Sequence, residues 1–99
     1  MKISELLSSP EKWTQRSYAR DALGGTVQTR SKDAVCWCLV GALLKCYSGD
    51  AAFGDVNASL EAAIRRRQTK GTIPTLASWN DLEGRTFAEV RAIVEEAGV

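Results

Sequence analysis

Residues 31–48 read SKDAVCWCLVGALLKCYS, and this stretch decides the fold of the 99-residue chain. Between Ala34 and Tyr47 the apolar side chains recur at the spacing of an α-helix, and further ones widen the stripe until it surrounds the helix. A helix that is apolar on nearly every side lies buried at the centre of a fold. With Ser31 capping its first turn, the sequence predicts a central helix over about residues 31–48.

Gly41 lies inside this predicted helix, where a glycine costs roughly 0.5–1 kcal/mol relative to alanine. The simplest reason to keep a glycine there is that another segment of backbone passes too close for a β-carbon. The sequence therefore predicts a close packing contact at Gly41, although it does not identify the other segment.

Shorter patterns predict the elements that surround the central helix. They indicate a short helix over about residues 2–8, a helix capped by Asp55, and a last helix that begins at a capping box at Thr86. Residues 18–29 contain a Gly-Gly step between β-prone pieces, which is typical of a β-hairpin or an ordered loop. We therefore expect a single domain over residues 1–99, mainly α (α+β), with three to four helices around the central one.

Composition excludes several classes of function. The chain has no histidine, which excludes Ser-His-Asp and Cys-His nucleophilic catalysis and removes the commonest zinc ligand. The net charge of +1 gives no global field that would attract nucleic acid or an acidic membrane surface. The longest apolar run, residues 35–44, is about half the roughly 20 residues that a membrane-spanning helix needs.

The three cysteines, Cys36, Cys38 and Cys46, are expected to be buried free thiols. Because their odd number suits a reducing compartment and the N-terminus shows no signal-peptide pattern, we expect a cytoplasmic protein. On one helix, Cys36 and Cys38 would point about 200° apart, which argues against a shared metal ion. The sequence predicts no metal site, no cofactor and no catalytic residue.

A histidine-free enzyme is an alternative, because Asp21, Asp81 and Glu83 lie in predicted loops, where catalytic groups are often found. The sequence does not place any two of these carboxylates at the separation that glycoside hydrolysis requires. The simpler interpretation is that each carboxylate forms or caps a turn.

Two polar segments are the candidates for a binding surface, one in residues 18–29 and one in a predicted connection over residues 72–85. The candidate residues are Tyr18, Arg20, Asp21, Trp79, Asn80, Asp81 and Arg85. One interpretation is structural: Arg20 or Arg85 pairs with a neighbouring carboxylate, Asn80 and Asp81 form turns, and Trp79 fills the core. The other interpretation is that both segments form one surface for a partner, since tryptophan, tyrosine and arginine dominate binding hot spots.

The basic run of Arg65, Arg66, Arg67 and Lys70 is the best signal for nucleic-acid binding. Arginine suits phosphate contacts, so this run supports the alternative of a nucleic-acid-associated protein. Three consecutive helical residues fan over about 200°, however, and do not form one stripe. They also suit a helix C-terminus, where the helix dipole favours positive charge.

Several motifs together resemble a family of small proteins found in bacteria and their phages. They are Tyr18-Ala19-Arg20-Asp21, Cys38-x-x-Gly41-Ala42-Leu43, and Trp79-Asn80-Asp81 followed by Arg85-Thr86. The resemblance covers nearly the whole chain. Because no activity is established for that family, the resemblance implies no mechanism. It does imply an accessory protein of a phage or mobile element, a class that often acts by binding a host protein.

The leading hypothesis from the sequence is therefore a small non-enzymatic protein that binds another protein, as a phage or mobile-element modulator of its host would do. Its partner would be a host protein and not a membrane. The nucleic-acid-associated protein and the histidine-free enzyme stay open as alternatives.

Overall fold

A computed structural model describes residues 1–68 and 75–99 of the chain. These residues contain five α-helices, one 3₁₀ turn and two short strands. In chain order they are α1 (Ile3–Leu6), the 3₁₀ turn (Pro10–Lys12), β1 (Ala19–Arg20), β2 (Cys36–Trp37), α2 (Leu39–Tyr47), α3 (Phe53–Arg67), α4 (Leu76–Asp81) and α5 (Phe87–Ala97). The predicted mainly helical α+β class is therefore confirmed.

The core lies between α2, α3 and α5. α3 packs along α5, and Leu60, Ile64, Val90 and Ile93 of this pair are fully buried in the shared apolar cluster. α2 contacts α1, α3 and α4, and its first residue, Leu39, is fully buried. The helix that the sequence placed at the centre of the fold is therefore central.

This central helix is shorter than predicted: α2 begins at Leu39 and not near Ser31, which lies in a loop. Cys36–Trp37 is a strand, and the cap of α2 is Cys38, whose Sγ accepts a hydrogen bond from the N–H of Gly41 at 3.2 Å. The prediction failed because a buried strand that runs directly into a helix carries the same apolar residues as one longer helix.

Residues 18–29 form an ordered loop, which is one of the two alternatives that the sequence predicted. The strand in this loop pairs with a distant part of the chain. β1 pairs antiparallel with β2, which lies outside this loop. Inside the loop, a bridge joins Arg20 and Thr26 across a tight turn. Gly24 supplies the left-handed conformation of that turn, with a φ of +85°.

Gly41 lies where this loop meets the central helix. A β-carbon added at Gly41 would lie 1.8 Å from the backbone oxygen of Tyr18. The same oxygen accepts a hydrogen bond from the N–H of Cys38 at 3.3 Å. The predicted close contact is confirmed, and the segment that the sequence could not identify is the backbone at Tyr18.

α3 has the predicted buried face but a different start. The helix begins at Phe53, with Ala52 in the N-cap position, so Asp55 lies in the first turn and does not cap the helix. A carboxylate in the first turn is still favourable, because the helix dipole is positive there. The buried residues are those predicted, Val56, Leu60, Ala63 and Ile64.

α4 is a helix that the sequence did not predict, since Leu76–Asp81 falls inside the expected connection over residues 72–85. Thr75 caps it by accepting a hydrogen bond from the N–H of Ser78 at 3.1 Å. A helix of 6 residues is too short to show an apolar period. This helix is important for the site, because it carries three of the predicted binding residues, Trp79, Asn80 and Asp81.

α5 begins and ends as predicted. Thr86 Oγ1 accepts a hydrogen bond from the N–H of Glu89 at 3.2 Å, and the Glu89 carboxylate accepts one from the N–H of Thr86 at 2.9 Å. Gly98 ends the helix in the left-handed conformation, with a φ of +73°. Both signals could be read from the sequence because they involve residues within about one turn of each other.

Candidate functional site

The second predicted polar segment contacts the residues just before the first one through the buried side chain of Asn80, which is 0% exposed. Its Oδ1 accepts hydrogen bonds from Trp13 Nε1 at 2.7 Å and from the N–H of Leu39 at 3.0 Å. Its Nδ2 donates to the backbone oxygen of Thr14 at 3.2 Å and to Asp81 Oδ1 at 2.9 Å. A primary amide can accept two hydrogen bonds and donate two, so Asn80 uses its full capacity inside the protein.

Two residues that precede the first segment, Gln15 and Arg16, are hydrogen-bonded to the end of α4 around Asn80. Gln15 Nε2 donates to the backbone oxygens of Asn80 at 2.9 Å and Leu82 at 3.1 Å. The N–H of Arg16 donates to Asp81 Oδ1 at 2.9 Å. We call residues 13–16, together with Asn80 and Asp81, the polar clasp. Asp81 therefore anchors the residues that lead into the first segment and does not form a turn of its own.

Arg20 stabilises the same loop from within. Its Nε donates to Thr14 Oγ1 at 3.1 Å, its Nη1 to the backbone oxygen of Gly24 at 3.0 Å, and its Nη2 to that of Gln15 at 3.2 Å. The guanidinium is half-buried and ties three points of the loop together. The structural interpretation paired Arg20 or Arg85 with a neighbouring carboxylate. Arg20 instead binds carbonyl and hydroxyl oxygens, whereas Arg85 does pair with the carboxylate of Glu89.

Trp79 points inward and is 6% exposed, as the structural interpretation expected. The Arg85 guanidinium lies over its ring, 4.0 Å from the centroid, which is a cation–π contact. Arg85 also donates from Nε to the backbone oxygen of Trp79 at 2.8 Å and from Nη1 to Glu89 Oε2 at 3.0 Å. A cavity of about 300 Å³ adjoins these three side chains, with Ile64 and Arg67 among its lining residues.

Tyr18 and Arg16 are exposed beside a different cavity. Tyr18 is 54% exposed, and Arg16 is exposed with a backbone φ of +64°. A groove of about 470 Å³ is lined by residues 16–18 and 26–29, none of which is acidic. This groove shares no lining residue with the cavity at Trp79. Asn80 and Asp81 therefore hold the residues that lead into the first polar segment, while the two polar segments border separate cavities.

The sequence analysis missed Gln15 and Arg16, which lie in the clasp and beside the groove. Neither belongs to a motif or to an apolar pattern. A left-handed conformation at an arginine has no sequence signal, because non-glycine residues adopt it only when their surroundings impose it. The sequence analysis singled out Asn80, but it could not identify the residues that the Asn80 side chain contacts.

The three carboxylates of the enzyme alternative either accept hydrogen bonds from backbone N–H groups, as Asp21 and Asp81 do, or are exposed, as Glu83 is. Asp21 Oδ1 accepts hydrogen bonds from the N–H groups of Leu23 at 3.0 Å and Gly25 at 2.9 Å, which closes the tight turn. Asp81 anchors the polar clasp, and Glu83 is exposed. The contacts of Asp21 and Asp81 are those of structural acceptors, and acid–base chemistry gains no support from them.

The cysteines do not share one helix as predicted, since Cys36 lies on β2, Cys38 caps α2, and Cys46 lies within α2. Burial raises the pKa of the Cys38 thiol, and burial likewise raises that of Cys46. A raised pKa leaves less thiolate at neutral pH and makes a thiol a weaker nucleophile. Within residues 1–68 and 75–99, no three Cys, Asp or Glu side chains form a group that could hold a metal ion.

The basic run at the end of α3 is partly neutralised by α5. Arg66 Nε lies 2.6 Å from Glu96 Oε2, and Arg67 Nη2 lies 3.2 Å from Glu96 Oε1. The hydrogen bond from Arg66 lowers the pKa of Glu96, with Arg67 adding to the effect. Arg65 is exposed, and Lys70 lies outside the described residues. Arg66 and Arg67, two of the three arginines at the end of α3, therefore connect α3 to α5.

Comparison with known proteins identifies a family but no activity. The model of a family of unknown function (DUF6197) matches residues 2–98. The chain therefore belongs to that family, and the expected membership of a family without an assigned activity is confirmed. No curated protein and no solved structure matches the chain. Of the described helices, none has the length and apolar character that crossing a membrane requires.

Proposed function

We propose that this member of the DUF6197 family is a non-enzymatic binding protein whose contact surface is the groove formed by residues 16–18 and 26–29. One observation carries the proposal. The side chains of Gln15, Arg20, Asn80 and Asp81 are committed to internal hydrogen bonds, while the side chains of Tyr18 and Arg16 are exposed beside the groove. Tyrosine and arginine are the residue types that most often dominate binding energy when a partner covers them.

The polar clasp supports this proposal by preorganising the groove. Asn80 and Asp81 hold the segment that leads into Tyr18, and the bonds of Arg20 hold the turn behind it. A surface that is already ordered loses less conformational entropy when a partner binds. The buried polar groups therefore have a purpose beyond local stability, which is to present two exposed side chains in one fixed geometry.

An extended segment of another protein is the partner that fits this groove. The groove is open and lies between two loop segments, and its lining mixes Tyr18 and Val27 with hydroxyl and amide side chains. Such a mixture suits a peptide, which offers apolar side chains and backbone hydrogen-bonding groups together. The nucleic-acid alternative is weakened because Arg66 and Arg67 already pair with Glu96.

The resemblance to small proteins of bacteria and phages extends the proposal to a biological role. We propose that the partner is a host protein and that the chain modulates it on behalf of a phage or mobile element. The cytoplasm is the proposed compartment, which accords with three free cysteines, two of them with a raised thiol pKa.

Affinity capture from lysate of the natural host tests the proposal. The full chain, Tyr18→Ala and Val35→Ala are used as baits, with and without nuclease. Val35 is the matched control, because it is also a half-exposed apolar residue but lies outside the groove. We expect the wild type and Val35→Ala to retain the same nuclease-resistant protein, and Tyr18→Ala to retain roughly a tenth as much or less.

Tyr18 is preferred to Trp79 or Arg20 for this test, because changes at the latter two would disturb the core or the loop. Equal capture by Tyr18→Ala and the wild type would contradict the proposed surface. Recovery that disappears with nuclease would instead support a nucleic-acid-associated protein. That alternative would then be checked by the salt dependence of binding, which for duplex DNA has a log–log slope of roughly −0.9 per phosphate neutralised.

A further inference from the structure

Arg16 has an unusual backbone conformation for its residue type. Its φ is +64°, and within residues 1–68 and 75–99 the other positive φ values all belong to glycines. A β-carbon disfavours this left-handed region, and arginine has no short polar side chain that would stabilise it locally. The conformation must therefore be imposed by the contacts around it.

Those contacts are the hydrogen bonds of the polar clasp. The N–H of Arg16 donates to Asp81 Oδ1 at 2.9 Å, and the preceding side chain, Gln15, donates to the backbone oxygens of Asn80 and Leu82. Asp81 Oδ1 is itself held by Asn80 Nδ2 at 2.9 Å. Strained residues that the surroundings over-determine in this way are concentrated at binding and catalytic sites.

The guanidinium of Arg16 has no carboxylate partner among the described residues. The four ion pairs found there involve Arg66, Arg67, Arg85 and Arg91. Arg16 is exposed, and the groove beside it is lined by no acidic side chain. The groove therefore presents one unpaired positive charge beside Tyr18, on a residue whose backbone is held by Asp81.

We propose that Arg16 determines the specificity of the groove by binding a carboxylate of the partner, so that the occupant is an extended peptide segment with an Asp or Glu side chain at one fixed position. This inference rests on the proposed function. A planar guanidinium binds a carboxylate through two parallel hydrogen bonds, which fixes geometry as well as charge. Tyr18 then packs against the side chain next to the acidic residue.

Charge favours an acidic peptide over other anionic partners. Arg16 is the single basic residue among those that line the groove. Nucleic acid is bound through many phosphate contacts along a strand, and phosphorylated peptides are typically bound by clusters of arginines. One arginine beside one tyrosine matches one carboxylate next to an apolar or aromatic side chain.

Selection from a library of random peptides tests this inference with the full chain as the target. The wild type is expected to enrich peptides that carry Asp or Glu at one fixed position. Arg16→Glu is expected to move the preference at that position to Lys or Arg. For an acidic peptide selected by the wild type, Arg16→Gly should weaken binding about tenfold, which is the effect of losing a hot-spot residue.

The fold of Arg16→Gly and two further variants make the test decisive. Arg16→Gly should keep the native fold, because glycine readily adopts a φ of +64°. Arg16→Lys keeps the charge but loses the planar fork, so it should bind the acidic peptide more weakly than the wild type and more tightly than Arg16→Gly. Tyr18→Ala should weaken every selected peptide, because it removes the adjoining aromatic contact.

The failures of the two proposals are distinguishable. If peptides are selected and depend on Tyr18 but show no acidic preference, and Arg16→Glu selects the same sequences, the inference about Arg16 is wrong and the binding groove stands. If the wild type enriches no peptide, both the groove and the role of Arg16 are overturned. The same follows if the enriched peptides bind Tyr18→Ala and Arg16→Gly as tightly as they bind the wild type.

Discussion

The pair of helices α3 and α5 and the polar clasp are stabilised in opposite ways. In the helix pair, the buried side chains are apolar, with Leu60, Ile64 and Val90 fully enclosed, and the polar contacts lie at its surface. In the polar clasp, the buried group is the amide of Asn80, and its long-range partners come from two separate parts of the chain, residues 13–14 and Leu39.

This difference has consequences for both stability and specificity. The stabilisation that apolar packing gives is proportional to the apolar area buried. Such packing tolerates small changes, since neighbouring side chains can partly fill a gap. A buried amide with all its partners in place specifies one geometry, because each lost hydrogen bond leaves a dehydrated polar group behind. The helix pair therefore gives the protein bulk stability, and the polar clasp gives it a defined surface.

The largest expected effect is that Asn80→Ala destabilises the protein more than Leu60→Ala does. The change leaves Trp13 Nε1, the N–H of Leu39 and the oxygen of Thr14 without partners. With about 1–3 kcal/mol for each unsatisfied buried group, we expect a loss of about 4 kcal/mol in the free energy of unfolding. Leu60→Ala should cost about 3 kcal/mol. Urea unfolding measures both values.

Asn57→Ala is the control for this comparison. Asn57 lies on α3 and donates to Glu61 Oε1 at 3.2 Å from a half-buried position. Its loss should change the free energy of unfolding by only about 0.5 kcal/mol. If Asn80→Ala cost no more than Asn57→Ala, the contrast between the polar clasp and the helix pair would be lost.

Gly41→Ala and Gly54→Ala are expected to have opposite effects. The new β-carbon at Gly41 would meet the backbone oxygen of Tyr18 at 1.8 Å, a contact that no side-chain rotation can relieve, so we expect a loss of about 3 kcal/mol. Gly54 lies in α3 with no atom within 4 Å of an added β-carbon. Alanine there should stabilise the helix by roughly 0.5–1 kcal/mol. Thermal unfolding of both variants checks this prediction. Equal losses of stability in the two variants would contradict it.

Substitution of an arginine by glycine should have opposite effects on stability in the polar clasp, at Arg16, and in the helix pair, at Arg65. Glycine relieves the left-handed conformation at residue 16, so the free energy of unfolding should rise by about 0.5 kcal/mol despite the added freedom of the unfolded chain. Arg65→Gly, at an exposed arginine in α3, should lower it by about 1 kcal/mol. Chemical denaturation of both variants gives the sign of each change. A loss at both positions would show that Arg16 is not strained.

The smallest effect concerns pH and the capping box of α5. The N–H of Thr86, with Arg85 adding to it, holds the pKa of Glu89 below its ordinary value of 4.5. The unfolded chain therefore binds a proton at this site at higher pH than the folded chain does. The stabilisation is present above the ordinary pKa and is lost as the pH falls through the lowered one.

Thermal midpoints at about pH 6 and about pH 3 test this expectation. Glu89→Gln should show a smaller fall in midpoint than the wild type, since the variant has no proton to take up at this site. Glu11 and Glu96, whose pKa values are also lowered, remain in both proteins and contribute equally. An identical fall in the two proteins would show that Glu89 contributes nothing to acid sensitivity.

Prediction from sequence succeeded where the relevant contacts were local or periodic. The buried face of α3, the capping box at Thr86 and the end of α5 at Gly98 are all as expected. Within the candidate site, the inward position of Trp79 agrees with the structural interpretation. The start of α2 was misplaced because an apolar pattern does not separate the strand Cys36–Trp37 from the helix that follows.

The candidate site was predictable only in part. Tyr18 was singled out and is exposed, whereas Arg20, Asp21 and Asn80 were singled out and are committed to internal bonds. Sequence composition shows that a residue can make a polar contact, but it does not show whether the contact is with the protein or with a partner. Arg16 could not be found at all, because its importance comes from a conformation.

The sequence by itself determined the helical class, the buried faces of the long helices, the ends of α5 and the need for glycine at position 41. These features depend on residues within about one helical turn or on a repeating apolar pattern. The tertiary structure alone decided the pairing of β1 with β2, the four partners of Asn80 and the left-handed conformation of Arg16. Those features depend on groups up to 67 residues apart, whose meeting is fixed only when the whole core packs.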